Sequence, residues 1–99
     1  MQQITVTELA ALDSPTLIDV READEYAQGH VPGAVSTPLS RFLDELRHVP
    51  TGRPVHVICQ SGGRSARATE MLQQLGIDAI DIAGGTSAWR RAGFQVEAA

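Results

Sequence analysis

The apolar residues of this chain follow two periods, one typical of strands and one typical of helices. Apolar or extended runs of three to six residues predict the strands, and a further short run near the C-terminus is a candidate to close the sheet. In chain order, these segments are 4–6, 17–20, 34–37, 55–59, 77–82 and the last candidate, 94–96. The run at 4–6 suits an edge strand. The segment 34–37 is expected to be extended because Pro38 disfavours helical geometry in the residue before it.

Between these runs, apolar residues recur at the spacing of amphipathic helices. Thr7 is placed to cap a short helix over 8–12. Gly29 and Gly76 are placed to end helices over 22–28 and 64–75. Apolar residues at i, i+3, i+4 and i+7 mark two stripes, formed by Leu39, Phe42, Leu43 and Leu46 and by Ala68, Met71, Leu72 and Leu75.

Strands that alternate with helices predict an α/β fold with a parallel, doubly wound sheet and helices on both faces. Sites in such sheets form at the carboxyl ends of strands, where Cys59 and the stretch Asp19-Val20-Arg21 fall. A last short helix opens at Gly84-Gly85 and carries Trp89, which is expected to pack that helix onto the sheet.

Composition narrows the class of protein. The 99 residues suit one domain with a single modest core, and the net charge of −4 gives no basic patch for nucleic acid. All eight basic residues are arginines, which excludes a Schiff-base lysine and a Walker-type phosphate loop. One cysteine excludes an internal disulfide and a cysteine-cluster metal site. No secretory signal or membrane-length apolar run is present in the sequence, so a cytoplasmic protein is expected.

The only cysteine, Cys59, stands between an apolar strand and a glycine-containing loop that leads into a helix. A thiol is weakly nucleophilic until it ionises, and the positive end of the following helix favours the thiolate. Gly62 and Gly63 allow the loop amides to curl around one anionic atom, and Arg64 and Arg67 add positive charge. A buried cysteine is often only a small hydrophobic residue, but a structural cysteine needs neither this loop nor this helix. The pattern therefore favours a reactive thiol.

Three stretches of the sequence resemble those of single-domain rhodaneses. They are Leu17–Glu22 followed by Gly29–Ala34, the loop Cys59–Ser65 that matches C-x-x-G-x-R-S, and Gly84-Gly85 leading to Trp89 and Gly93. The resemblance extends over the whole chain, so we expect one rhodanese domain at 1–99. It implies the rhodanese fold, with a five-stranded parallel sheet flanked by helices.

The resemblance also implies a sulfurtransferase in which Cys59 takes a sulfane sulfur from thiosulfate or a persulfide and passes it to cyanide or a thiol. The residues implied in substrate binding are Gln60, Ser61, Gly62, Gly63, Arg64 and Ser65, with Asp19 and Arg21 in support. Metal and cofactor are not implied, and the expected partners are a sulfur donor and an external thiol or protein acceptor, not nucleic acid or a membrane. The external acceptor follows from the single cysteine, since no second thiol can resolve a persulfide.

Efficient thiosulfate enzymes of this family often carry several basic residues in the loop, whereas Arg64 is the only charge here. This predicts that thiosulfate is a poor donor. Two alternatives remain open: a rhodanese-fold binding module without turnover, and a phosphatase or arsenate reductase. The four residues between Cys59 and Arg64 disfavour the phosphatase, whose C-x5-R loop has room for a tetrahedral phosphate.

The remaining polar candidates have structural interpretations. Asp19 and Arg21 are expected to form an ion pair that organises the strand end or braces the loop. His30 is expected to bond the backbone of a turn, and His48 to be solvated at a helix end. His56 should face the other side of the sheet from Cys59, because side chains alternate along a strand. The acidic cluster at 22–25, with Arg21 beside it, is expected to be a solvated surface.

Overall fold

A computed structural model describes residues 1–98, which form one parallel sheet covered by helices on both faces. The strands are β1 (Gln3–Ile4), β2 (Thr16–Asp19), β3 (Val35–Ser36), β4 (Val55–Ile58) and β5 (Ala79–Ile82). Their order in the sheet is β1-β5-β4-β2-β3, and every pair of neighbours is parallel. The predicted α/β class and the five-stranded parallel sheet are therefore confirmed.

The helices are α1 (Val6–Ala10), α2 (Ala23–Gln28), α3 (Phe42–Leu46), α4 (Gly63–Gln74) and α5 (Gly85–Arg91). A single 3₁₀ turn, Leu39–Arg41, precedes α3, so the helix predicted from Leu39 to Leu46 is divided. Gly29 and Gly76 follow α2 and α4 closely, as the sequence predicted.

Two apolar clusters lie on opposite faces of the sheet. β4 is buried along its whole length, as expected of a central parallel strand with helices on both sides. One cluster packs α3 and α4 onto the sheet through Phe42, Leu46, Ala68 and Leu72. The other packs α1 and α5 onto the opposite face through Val6, Leu9 and Trp89, which confirms the expected role of Trp89.

The predicted N-cap of the first helix is wrong by two residues. Thr5, not Thr7, caps α1: its Oγ1 accepts from the Glu8 amide at 3.1 Å, and the Glu8 side chain accepts from the Thr5 amide at 2.9 Å. This reciprocal pair satisfies two backbone donors at once and therefore places the helix start before Thr7.

The predicted strand at 94–96 is also wrong, because β1 and β3 occupy the two edges of the sheet. Gly93, with a φ of +83°, turns the chain back against α5. There the Trp89 indole nitrogen donates to the carbonyl of Gln95 at 2.8 Å, and the ring centroids of Phe94 and Trp89 are 4.8 Å apart. The segment thus packs on α5 instead of extending the sheet.

Both predicted helix stripes include one residue that is not in the core. Leu43 is 66% exposed and Leu75 is 56% exposed. Leu43 is the second residue of α3 and Leu75 follows the last residue of α4, while Phe42, Leu46, Ala68 and Leu72 are buried as predicted.

Candidate active site

Cys59 lies one residue beyond β4, at the carboxyl edge of the sheet, and is 1% exposed. The amide of Gly62 donates to its Sγ at 3.1 Å, and the Ser65 hydroxyl lies 3.3 Å from the same sulfur. That hydroxyl also donates to the carbonyl of Gly62 at 3.1 Å. A hydroxyl has one proton and two lone pairs, so Ser65 can accept from the thiol while it donates to Gly62, or turn its proton toward a thiolate.

The loop after Cys59 depends on the backbone of Gly62, which has a φ of +132°. A Cβ added there would meet nothing within 4 Å, so the need for glycine is conformational and not a matter of space. Gly62 is also the N-cap of the 12-residue helix α4, and as glycine it offers no side chain to the first helical amides. The positive end of α4 is therefore left open beside the sulfur.

The start of α5 forms the floor of the loop. The amide and hydroxyl of Thr86 donate to the Cys59 carbonyl at 2.8 and 2.9 Å, and the Ser87 amide donates to the Gln60 carbonyl at 3.0 Å. Gln60 Nε2 donates to Ser87 Oγ at 2.9 Å. A Cβ on Gly85 would lie 2.6 Å from the Cys59 carbonyl oxygen, so only glycine allows this approach. Gly85 therefore lets the start of α5 pack directly against the backbone of the cysteine loop.

Asp19 and Arg21 form an ion pair at the end of β2, with side chains that are 0% and 3% exposed. The Arg21 Nη2 donates to Asp19 Oδ2 at 2.7 Å and to the Gly29 carbonyl at 2.8 Å, and Nη1 donates to Gln60 Oε1 at 3.2 Å. One guanidinium therefore connects the end of β2, the end of α2 and the cysteine loop. A buried charge held by this many hydrogen bonds fixes the relative positions of the groups around it.

The guanidinium of Arg64, the charged residue of the cysteine loop, is bound to a carboxylate on α2. Its Nη1 and Nη2 donate to the two oxygens of Glu25 at 2.6 and 2.9 Å, and the two side chains are 36% and 33% exposed. The hydrogen bond from Arg64 lowers the pKa of Glu25 to about 2, against an opposing effect of burial. The same hydrogen bond raises the pKa of Arg64 above its usual value.

A model of the rhodanese-like domain family matches residues 5–92. The chain belongs to the rhodanese-like domain family. It is 34% identical to a sulfurtransferase of Allochromatium vinosum over 91% of this chain and 85% of that protein. It is 36% identical to thiosulfate sulfurtransferase 16, chloroplastic, of Arabidopsis thaliana over 96% of this chain and 90% of that protein.

Solved structures agree with this assignment. The crystal structure of a rhodanese-related protein from Thermoplasma volcanium superposes with a TM-score of 0.90 at 31% identity, and covers 98% of each chain. Three other curated relatives are longer, and this chain spans between 24% and 59% of their lengths.

The histidines of this rhodanese-like domain lie where the sequence predicted. The His30 ring stacks on Tyr26 with centroids 3.7 Å apart, and Nδ1 lies 2.9 Å from the Tyr26 carbonyl, to which it can only donate. His56 makes the corresponding contact with the Thr16 carbonyl at 3.1 Å, three residues before Cys59 and so on the other face of the sheet. His48 is exposed.

Glu25 is the site residue of this rhodanese-like domain that sequence reasoning missed. The acidic cluster at 22–25 and Arg21 were expected to be a solvated surface, which is wrong for the buried Arg21 and for Glu25. A local signal existed, because Glu22 and Glu25 form a capping box at the start of α2. The contact with Arg64 joins residues 39 apart in sequence, which no local pattern reports.

Residues 1–98 contain no group of three or more His, Cys, Asp or Glu side chains that could hold a metal ion. No helix in that range is both long enough and apolar enough to cross a membrane.

Proposed function

We propose that this chain, as one rhodanese domain over residues 1–99, is a sulfurtransferase that carries a sulfane sulfur as a persulfide on Cys59. The observation that supports this most strongly is the sulfur position at the end of β4, within 3.1 Å of the Gly62 amide and beside an uncapped helix start. A neutral cysteine that only fills space in the core does not require these hydrogen-bond donors, whereas a thiolate or persulfide anion is stabilised by them.

In the first half-reaction, the Cys59 thiolate attacks the outer sulfur of the donor. With thiosulfate, a bond forms between Sγ and that sulfur, the donor's sulfur–sulfur bond breaks, and sulfite leaves with its electron pair. The products are a Cys59 persulfide anion and sulfite, so charge and atoms balance. In the second half-reaction, cyanide or an external thiolate attacks the outer sulfur, and the Cys59 thiolate is the leaving group. This covalent relay needs no step at a metal or an organic cofactor.

The proposed roles of the other residues follow from their contacts. The amides of the loop from Gln60 to Ser65 would hold the outer sulfur, and the Ser65 hydroxyl would donate to the negative sulfur. Asp19 and Arg21 would support the loop through Gln60. Since Cys59 is 1% exposed, attack on a donor requires the loop to move outward.

The acceptor in this proposal is an external thiol or a protein thiol, because the sequence has a single cysteine. Nucleic acid and membranes have no part in the reaction. Cys59 must not be oxidised between turnovers, which suits a reducing compartment such as the cytoplasm.

The near-complete burial of Cys59 favours one competing function, a binding module that recognises a partner without turnover. Steady-state kinetics separate the two. A sulfurtransferase gives thiocyanate from donor and cyanide with parallel initial-velocity lines, the pattern of a ping-pong mechanism, and Cys59→Ser abolishes it. A folded protein that gives no thiocyanate with thiosulfate or glutathione persulfide supports the binding module instead.

A further inference from the structure

Both guanidinium groups that adjoin the cysteine loop are neutralised by carboxylates. Arg21 is paired with Asp19, and Arg64 with Glu25. The hydrogen bond that Arg64 donates to Glu25 is the main cause of the raised pKa of Arg64, and the Cys59 thiolate contributes in the same direction, so Arg64 and the sulfur interact electrostatically. Arg67, one turn further along α4, is exposed and its charge is screened by solvent. The charges of the two guanidinium groups beside the cysteine loop are thus neutralised in the folded protein, and the uncapped start of α4 remains as the positive group at the sulfur.

Glu25 is held in place by a second set of bonds. Its Oε1 accepts from the Glu22 amide at 3.1 Å as part of the capping box of α2, in addition to the bond from Arg64. The carboxylate is therefore oriented by its own helix and meets the guanidinium through both of its oxygens. An incoming anion has to compete with this preorganised partner for Arg64.

We propose that Glu25 determines donor specificity: by neutralising Arg64 it discriminates against dianionic thiosulfate and favours persulfides whose sulfane sulfur is attached to an uncharged group. This inference rests on the proposed sulfurtransferase function. Glu25 does not touch the reacting sulfur and acts through Arg64, so it is a positioning residue and not a catalytic one.

Two small donors isolate the effect of charge. Thiosulfate carries two negative charges, whereas methanethiosulfonate replaces one oxygen by a methyl group, carries one charge and transfers the same outer sulfur. With methanethiosulfonate, the Cys59 thiolate forms a bond to the outer sulfur, the donor's sulfur–sulfur bond breaks, and methanesulfinate leaves with the electron pair. The ratio of kcat/KM for thiosulfate to that for methanethiosulfonate therefore reports the charge preference of the site.

The test variant is Glu25→Gln, which removes the charge but keeps an oxygen that can accept from Arg64 and from the Glu22 amide. The matched control is Asp24→Asn on the adjacent, exposed residue of α2, which changes the net charge of the protein by the same amount. We expect the donor ratio to rise about tenfold in Glu25→Gln, because one unit charge near the dianion is removed, and to change less than twofold in Asp24→Asn.

A ratio in Glu25→Gln equal to that of the wild type, or an equal rise in both variants, would overturn the proposal. Alkylation of Cys59 gives a second reading that needs no sulfur transfer. The rate with anionic iodoacetate relative to neutral iodoacetamide should rise severalfold in Glu25→Gln alone. If no donor forms a persulfide in any variant, the sulfurtransferase function and its donor preference are both wrong, and the alkylation ratio alone decides whether Glu25 repels anions. If sulfur is transferred but neither ratio moves, only the role of Glu25 is wrong.

Discussion

Replacement of Gly85 by alanine should disrupt the active-site loop more than any other single methyl group added to the chain. At Gly85, φ is +60°, and the new Cβ would lie 2.6 Å from the Cys59 carbonyl oxygen and 2.7 Å from that of Gln60. Both neighbours are backbone atoms of the cysteine loop, so they can move away only if the loop separates from α5. Such a separation lengthens the hydrogen bonds from Thr86 and Ser87 to these two carbonyls.

The size of the effect can be estimated from these contacts. An alanine in the left-handed region costs roughly 1–2 kcal/mol. The three hydrogen bonds that Thr86 and Ser87 donate to the loop carbonyls are each worth about 1 kcal/mol when lost. Gly85→Ala should therefore lower the free energy of unfolding by about 4 kcal/mol, and it should also displace Cys59 from its donors.

Gly76→Ala is the matched control, because Gly76 has a φ of +80° but an added Cβ would meet nothing within 4 Å. Gly76→Ala should lower the free energy of unfolding only by the cost of placing alanine in the left-handed region, about 1–2 kcal/mol. Urea unfolding of both variants gives the difference, and sulfur transfer under native conditions shows whether Gly85→Ala also loses activity while Gly76→Ala keeps it. If the two variants are equally stable and equally active, the close contact between α5 and the loop does not support the site.

Three further predictions concern the charged and polar groups around the loop. Arg21→Gln leaves the Asp19 carboxylate buried without its partner and should lower the free energy of unfolding by about 3 kcal/mol in urea titrations; a loss below about 1 kcal/mol would contradict the ion pair's structural role. Ser65→Ala removes a hydroxyl beside the sulfur and should slow persulfide formation about tenfold in stopped-flow assays while it costs only about 1 kcal/mol of stability; an unchanged rate would contradict a role of that hydroxyl. The pKa of Glu25 is lowered from 4.5 to about 2, so its bond to Arg64 stabilises the fold above pH 4.5 and is lost as the pH falls toward 2. For this partly exposed pair the contribution is about 1 kcal/mol, and the stability difference between wild type and Glu25→Gln should disappear over that window; a difference that is independent of pH would contradict the assigned pair.

Much of the fold is predictable because the parallel sheet has a simple sequence pattern. β4 is buried on all four residues, and its apolar run therefore stands out from the helical stripes around it. The position of Cys59 followed from the rule that sites form at the carboxyl ends of such strands. Two of the errors occurred where one apolar pattern fits two environments. Leu75 continues the helical stripe of α4 but lies at the end of the helix, and 94–96 has the pattern of a strand but packs on Trp89.

The site was predictable only in part, because its polar contacts join distant segments. The cysteine loop and its glycines could be predicted from neighbouring residues in the sequence. The ion pair of Glu25 with Arg64 and the hydrogen bond from Arg21 to Gln60, by contrast, each span 39 residues. The hydrogen bonds from Thr86 to the Cys59 carbonyl span 27 residues. Such contacts depend on how β2, β4 and β5 are ordered in the sheet, and a single sequence does not report that order.

The central claim is that Cys59 accepts a sulfane sulfur, and intact mass spectrometry tests it most directly. The reduced protein is incubated with thiosulfate and, separately, with glutathione persulfide, beside a Cys59→Ser control. The account predicts a mass increase of one sulfur atom that is removed by cyanide and is absent from the control. If the folded protein has a titratable thiol but gains no sulfur from either donor, Cys59 is not a sulfur carrier and the loop serves recognition instead.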